Sequence, residues 1–187
     1  MLHKKRLVIS FDLDGVIFPL VQSICKEYGI SYNKITSHNI WECDLLSDVE
    51  KEIIVNSFGK KSTYEKCGVS DGAEMLGELS ELADVYINSW CIGEDREYKR
   101  EVLRRLALAI PDDHIFFGES LQRKEYVPSD FIVEDNLRNI RENLDRGKCF
   151  LLIDAPYNRE EVEKTIRVRN LKECMTMLMR AVKRAGD

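Results

Sequence analysis

Five short runs of apolar, β-prone residues constrain this chain more than anything else in it. They are Leu7–Phe11, Asp84–Ser89, His114–Phe117, Asp130–Val133 and Lys148–Ile153. Each is nearly continuous in apolar character, as strands buried on both faces of a parallel sheet require. Helical signals separate them. Ile17, Leu20, Val21, Ile24 and Tyr28 share one helical face, with Gly29 as a stop. Asp71 and Glu74 have capping-box spacing ahead of Met75, Leu76, Leu79 and Leu82. Tyr98, Val102, Leu106 and Ala109 form another stripe before Pro111, and Leu137, Ile140 and Leu144 another before Gly147. Asn170 and Glu173 can open a last helix through Leu171, Cys174, Leu178 and Val182. This alternation over 187 residues reads as an α/β fold with a doubly wound parallel sheet.

One stretch breaks the alternation. Residues 30–69 hold no strong strand but two capped-helix signals, Ser47 with Glu50 and Ser62 with Glu65. The expected organisation is therefore an α/β core of residues 1–29 and 70–187, with a small helical cap, residues 30–69, inserted after the first strand.

Composition narrows the classes of function. Lys and Arg number 28 against 33 Asp and Glu, a net charge of −5, which argues against nucleic acid as a partner. No apolar run reaches the length of a membrane span, and no secretion signal is read at the start of the sequence, so a cytoplasmic protein is expected. The six cysteines are spread without any metal-knuckle spacing and read as reduced, mostly buried residues. His3, His38 and His114 are scattered, so no histidine metal site is expected. The basic ends, Lys4-Lys5-Arg6 and Arg180 to Arg184, read as solvated, as does Glu160-Glu161-Val162-Glu163.

The chemistry concentrates in Asp12-Leu13-Asp14-Gly15, directly after the first strand. Ligands of open α/β sheets bind beyond the carboxyl ends of the strands. Two carboxylates two positions apart at such an end can reach one small site, and they need a compensating cation, for which Mg²⁺ suits all-oxygen ligands. A calcium loop is excluded, because its twelfth position counted from Asp12 is Ser23, not Glu. Other polar residues fall at or just ahead of strand ends: Ser89, Lys124 and the pair Glu134-Asp135. Each has a plainer reading: a strand-end hydroxyl for Ser89, a solvated loop for Lys124, and a helix cap for the acidic pair. Arg123 competes with Lys124, which is preferred on its spacing to the acidic pair.

These marks together resemble the haloacid dehalogenase superfamily, and within it the 5′(3′)-deoxyribonucleotidase (cytosolic type C 5′-nucleotidase) family. Gly72–Leu76 ahead of Val85–Ser89, the interval from Lys124 to Glu134-Asp135, and the segments Ile153–Asn158 and Ile166–Leu171 are similar to that family's. The likeness spans roughly Leu7 to Met175 outside the insertion. The chain departs from the family in Ser89-Trp90, where animal enzymes have Thr-Ser-Pro, in a Glu-Asp acidic pair, and in the insertion, which shows little similarity to the known cap.

The resemblance implies a haloacid dehalogenase-like Rossmannoid core and a Mg²⁺-dependent phosphomonoesterase acting on nucleoside, above all deoxynucleoside, monophosphates. It implies Asp12 as nucleophile and Asp14 as proton donor and acceptor. Ser89 and Lys124 would bind the phosphate. Asp12, the main-chain carbonyl of Asp14, and Asp135 would hold the metal, with Glu134 acting through a metal-bound water. Among the aromatic residues Trp41, Phe58 and Tyr64 of the insertion, which can stack on a base or only pack the cap, Tyr64 is the first choice for a substrate contact. Ile17 and Phe18 can wall the site, and Tyr157 and Asn158 can border it or form a turn. A homodimer is compatible with the resemblance. Two alternatives stay open: a phosphatase of another small ester such as a sugar phosphate, and a non-catalytic phosphate-binding or scaffold protein.

Overall fold

The computed structural model describes residues 6–119 and 124–186. His3, Lys4, Lys5 and Arg123 lie outside the described residues. The five expected strands form at Val8–Phe11 (β1), Asp84–Trp90 (β2), Ile115–Gly118 (β3), Ser129–Glu134 (β4) and Gly147–Ile153 (β5). A sixth, Thr165–Val168 (β6), completes an all-parallel sheet of order β3-β2-β1-β4-β5-β6. The sequence pattern does not announce β6. It is an edge strand with one neighbour, and Ile166 and Arg167 face solvent, so it carries no continuous apolar run.

Helices Leu20–Glu27 (α1), Leu76–Leu82 (α4), Asp95–Leu106 (α5), Leu137–Glu142 (α6) and Leu171–Gly186 (α7) link and cover the strands. Several boundaries differ from expectation. Helix α1 begins only at Leu20, which leaves Ile17 and Phe18 in the loop, where both are fully buried in the core. The box at Asp71 and Glu74 does not form. Glu74 Oε2 accepts from Gly72 N at 3.0 Å, Gly72 takes φ 98°, and Asp71 pairs with Lys172 instead. A Cβ on Gly72 would stand 2.6 Å from Lys172 Cα, so the close approach of α7 sets this turn. Helix α5 ends ahead of Ala109 and Pro111, and Gly147 opens β5 rather than ending α6. Arg6 is not simply solvated: its guanidinium donates to the carbonyls of Ser80, Glu81 and Ala83 at the end of α4, at 3.1, 3.0 and 2.8 Å. The start of α7 is as expected, with Asn170 Oδ1 accepting from Glu173 N at 3.0 Å. All six cysteines are free thiols, four of them buried.

The insertion after α1 is helical: single turns at Tyr32–Lys34 and Ile40–Glu42, then Asp48–Ser57 (α2) and Lys61–Cys67 (α3). Ser47 and Glu50 make the expected reciprocal capping box on α2. Ser62 sits inside α3, which starts from Lys60 without a side-chain cap. Ile35, Ile40, Cys43, Leu46, Ile54 and Tyr64 of the insertion share one apolar cluster with Ile17, Phe18 and Ile24 of the α/β part.

That continuity makes a prediction. Ile54 is fully buried, so Ile54→Ala should destabilise the protein by about 2–5 kcal/mol, as deletion of a buried aliphatic side chain does. Denaturant unfolding followed by circular dichroism and by tryptophan fluorescence should still give one coincident transition. A separate early transition would show that the insertion has its own core.

Candidate active site

The sheet order reverses beside β1, with β2 on one side and β4 on the other. The crevice at such a switch point is where ligands of open sheets bind. Asp12 follows β1 directly, and Asp135 follows β4. Between them the chain turns tightly: Phe18 N donates to Leu13 O at 2.8 Å and Gly15 N to Phe18 O at 2.7 Å. Gly15 has φ 81°, and a Cβ there would lie 1.9 Å from Asp135 Oδ2. The glycine is thus needed twice, for the backbone conformation and for the room it leaves Asp135.

Lys124, buried, stands 2.8 Å from Asp12 Oδ2 and 3.2 Å from Glu134 Oε1. Glu134 is saturated. Its Oε1 also accepts from Tyr126 Oη at 2.8 Å and Asn139 Nδ2 at 2.5 Å, and its Oε2 accepts from the amides of Asp135 and Asn136 at 2.9 and 2.8 Å. The acidic pair therefore does not cap α6 from its side chains alone. Asn136 Oδ1 does so, accepting from Arg138 N at 2.9 Å. Asp135 Oδ2 accepts from Tyr157 Oη, and its main-chain carbonyl accepts from Asn158 Nδ2 at 2.7 Å. Asn158 also donates to Ile153 O at 2.8 Å, and so ties the end of β4 to the end of β5. Tyr157 and Asn158 thus border the site.

Three carboxylates, Asp12, Glu134 and Asp135, bring oxygens within 4.8 Å of one another around a single ammonium group. Their titration reflects the excess of negative charge. Burial, reinforced by Glu134 and Asp14, pushes Asp12 up to about 7 against the pull of Lys124. Burial and the charges of Glu134 and Asp12 push Asp135 well above the carboxylate range. Burial opposes ionisation of Glu134 too, but Lys124 and the donors around it hold its pKa down. Burial also works against the charge of Lys124, yet Asp12 and Glu134 outweigh it and keep the ammonium protonated. Asp135 Oδ1 is buried without a partner among the described residues. A crowded all-oxygen donor set with a spare, buried oxygen fits a hard divalent cation such as Mg²⁺.

Asp14 belongs to a second cluster, which sequence reasoning missed. Lys99 of α5, fully buried, reaches Asp14 Oδ2 at 2.6 Å and Asp95 Oδ2 at 3.0 Å. It also donates to Trp90 O at 2.7 Å, and Ser89 Oγ lies 3.5 Å away. Tyr64 Oη donates to Asp14 Oδ2 at 3.2 Å, with Asp95 Oδ2 at 3.5 Å. A signal was present: Asp95, Lys99, Val102 and Leu106 follow one face of α5, so an i,i+4 opposite-charge pair sits on the apolar stripe.

Asp12, Asp14, Ser89, Lys124, Asp135 and Tyr64 all line one cavity of about 230 Å³. Glu134 lies behind it. Asp95, Asn139 and Tyr157 add polar groups to the cavity lining, and an apolar wall comes from Leu20 and Val21 of α1 and Ile35, Ile40 and Phe58 of the insertion. His38 stands at the rim, edge-on to Tyr157 at 5.7 Å. Trp41 is 54% exposed and outside the cavity, and Ile17 and Phe18 pack beneath it rather than walling it.

Over residues 6–184 the chain matches the family described as "5' nucleotidase, deoxy (Pyrimidine), cytosolic type C protein". No curated protein sequence matches it. Among solved structures it is similar to a HAD-superfamily hydrolase from Ehrlichia chaffeensis (15% identity, TM-score 0.56, 95% of this chain and 98% of that one). It is also similar to a haloacid dehalogenase-like family protein from Streptococcus pneumoniae (15%, 0.53, 92% and 98%). A third is the HAD-hydrolase YfnB from Bacillus subtilis, bound to magnesium (18%, 0.50, 93% and 99%). At these identities the likeness to solved structures is one of fold. Among the described residues no helix is long and apolar enough to cross a membrane. The family match leaves only the two ends of the sequence outside it, and the chain belongs to the cytosolic type C deoxy-5′-nucleotidase family of phosphoric monoester hydrolases, on the haloacid dehalogenase fold.

Proposed function

We propose that this protein hydrolyses deoxynucleoside monophosphates through an aspartyl-phosphate on Asp12. One observation carries the reading: the two carboxylates of a single turn sit in different surroundings at the mouth of one cavity. Asp12 is buried beside Glu134 and paired with Lys124, while Asp14 is paired with Lys99 through Oδ2 alone and keeps Oδ1 buried and without a partner among the described residues. Different surroundings suit different roles. An Asp12 oxygen attacks phosphorus, and the bond from phosphorus to the sugar oxygen breaks as Asp14 delivers a proton to that oxygen. Water then attacks the phosphorus of the aspartyl-phosphate and gives its proton to Asp14, which frees Asp12 and phosphate. Ser89 and Lys124 bind phosphoryl oxygens in this reading, and Lys124 offsets their charge. Asp12, Asp135 and the main-chain carbonyl of Asp14 would hold Mg²⁺, with Glu134 behind them. Mg²⁺, when bound, neutralises the repulsion between dianionic phosphate and carboxylate.

Residues 30–69 act as the cap over a core of residues 1–29 and 70–187. The apolar wall from Ile35, Ile40, Phe58 and Val21 supports a nucleobase as the group opposite the phosphate, since a sugar phosphate would bring hydroxyls that this wall cannot satisfy. Tyr64 contacts substrate only from its hydroxyl edge, because its ring packs edge-on against Phe18 at 5.5 Å and under Lys99 at 4.9 Å.

Purified protein should hydrolyse deoxynucleoside monophosphates faster than sugar phosphates, lose activity in EDTA and regain it with Mg²⁺; equal, poor rates across a nucleotide panel would sink the nucleotide reading. Asp12→Asn should lower kcat by about four orders of magnitude or more, as removal of a nucleophile does. Gly15→Ala should weaken Mg²⁺ binding, measured by calorimetry, because the new methyl group occupies the place of Asp135 Oδ2.

Metal and stability should also be linked. Asp12 and Asp135 are raised in the folded protein, so the metal-free fold binds protons more tightly than the unfolded chain, and its stability falls as pH rises from about 4 towards 7. Added Mg²⁺ should therefore raise Tm more at pH 8 than at pH 5, a readout independent of activity.

A further inference from the structure

Lys99 has no solvent exposure, and nothing in the proposed reaction so far uses it. A buried ammonium is costly unless its protons are all matched. Here the three protons of Nζ meet three close acceptors: Asp14 Oδ2 at 2.6 Å, Trp90 O at 2.7 Å and Asp95 Oδ2 at 3.0 Å. Asp95 is fixed in turn, because its Oδ1 accepts from the amides of Ile92 and Gly93 at 3.2 and 3.1 Å in the loop between β2 and α5. The backbone thus holds Asp95, Asp95 holds Lys99, and Lys99 holds Asp14. From the insertion, Tyr64 adds a second donor to the same Asp14 oxygen at 3.2 Å.

We propose that Lys99, anchored by Asp95 and assisted by Tyr64, is the positioning residue that locks the Asp14 carboxylate with Oδ2 engaged and Oδ1 turned to the leaving group, so that hydrolysis of esters with basic leaving groups depends on it. The inference rests on the phosphatase reading above. An oxygen that already accepts from an ammonium and a phenol has no room for a proton, so a proton carried by Asp14 belongs on Oδ1. That oxygen is the one without a partner among the described residues. An ion pair that only stabilised α5 would need Asp95 and Lys99, four positions apart on one helix. It would not need a carboxylate from the loop after β1 on the same ammonium, nor a hydroxyl from the insertion donating to that carboxylate's engaged oxygen. A fixed acid matters because proton transfer requires hydrogen-bond reach and alignment, not merely the presence of the group.

The test compares two leaving groups. A deoxynucleoside 5′-monophosphate releases a basic sugar oxygen that must receive a proton, whereas p-nitrophenyl phosphate releases a stable phenolate. The ratio kcat/KM reports the first irreversible step, formation of the aspartyl-phosphate with departure of the leaving group. Lys99→Met should lower kcat/KM for the nucleotide by about 100-fold, the scale of general-acid catalysis, and by at least about tenfold more than for p-nitrophenyl phosphate. Tyr64→Phe keeps the ring against Phe18 and removes one of the two donors, so it should shift the same ratio in the same direction by about threefold, the scale of one hydrogen bond of modest strength.

Equal losses on both substrates, or no loss on either, would overturn the positioning role. Melting curves identify a Lys99→Met protein that fails to fold, and Tyr64→Phe then decides by the same ratio. Wild-type protein inactive on both esters would instead remove the phosphatase reading itself, a result distinct from equal losses in an active enzyme.

Discussion

Five carboxylates meet two ammonium groups at the carboxyl ends of β1, β2 and β4, and the arrangement of the site follows from that imbalance. Asp14 and Asp95 share Lys99, while Asp12, Glu134 and Asp135 share Lys124. The two groups settle their charge differently. Around Lys99 the excess is a single charge, spread over backbone amides and the Tyr64 hydroxyl. Around Lys124 the donors favour Glu134, which takes five, and leave Asp12 and Asp135 raised well above ordinary carboxylates. The remaining deficit lies between Asp12 and Asp135, beside the orphan Asp135 oxygen, and a divalent cation there would invert the local field for an incoming phosphate.

Parallel pairing is what brings these charges together. Because the register sets Phe11 against Ile87 and Val133, Asp12 and Glu134 lie level at the ends of β1 and β4, while β2 runs on to Trp90 and carries Ser89 one position further along. Asp12, Ser89 and Glu134 then emerge side by side, though they are far apart in sequence. Lys124 arrives from the connection between β3 and β4, and Lys99 from the helix after β2. The same parallel sheet accounts for the apolar continuity of its strands, so fold class and site location have one cause.

That common cause explains which parts of the molecule could be read from sequence. Asp12, Asp14, Ser89 and Glu134-Asp135 were visible because each follows an apolar run whose end marks the rim of the sheet. The Ser47 and Glu50 cap was visible because its chemistry is local. Lys99 was not, since a lysine between Tyr98 and Val102 looks like the solvated side of an amphipathic helix, and only its partner four positions earlier hints otherwise. β6 escaped for the opposite reason: an edge strand buries one side and keeps Ile166 and Arg167 in water. Tyr64 was half readable. An aromatic in the insertion suggested a base contact, but its hydroxyl partner, Asp14, lies 50 positions away in sequence.

The insertion therefore contributes more than a roof. Its Ile35, Ile40 and Phe58 give the cavity an apolar wall, while Tyr64 places a donor on the carboxylate proposed as acid. In the proposed reaction, recognition of the substrate's apolar end and orientation of the acid would both depend on one small helical segment, whose core is continuous with the sheet's. A shift of that segment by even a fraction of an ångström would change both at once, because packed interiors transmit displacement rather than absorb it. Binding energy gained at the base can in this way be expressed at the scissile bond, where it is worth most.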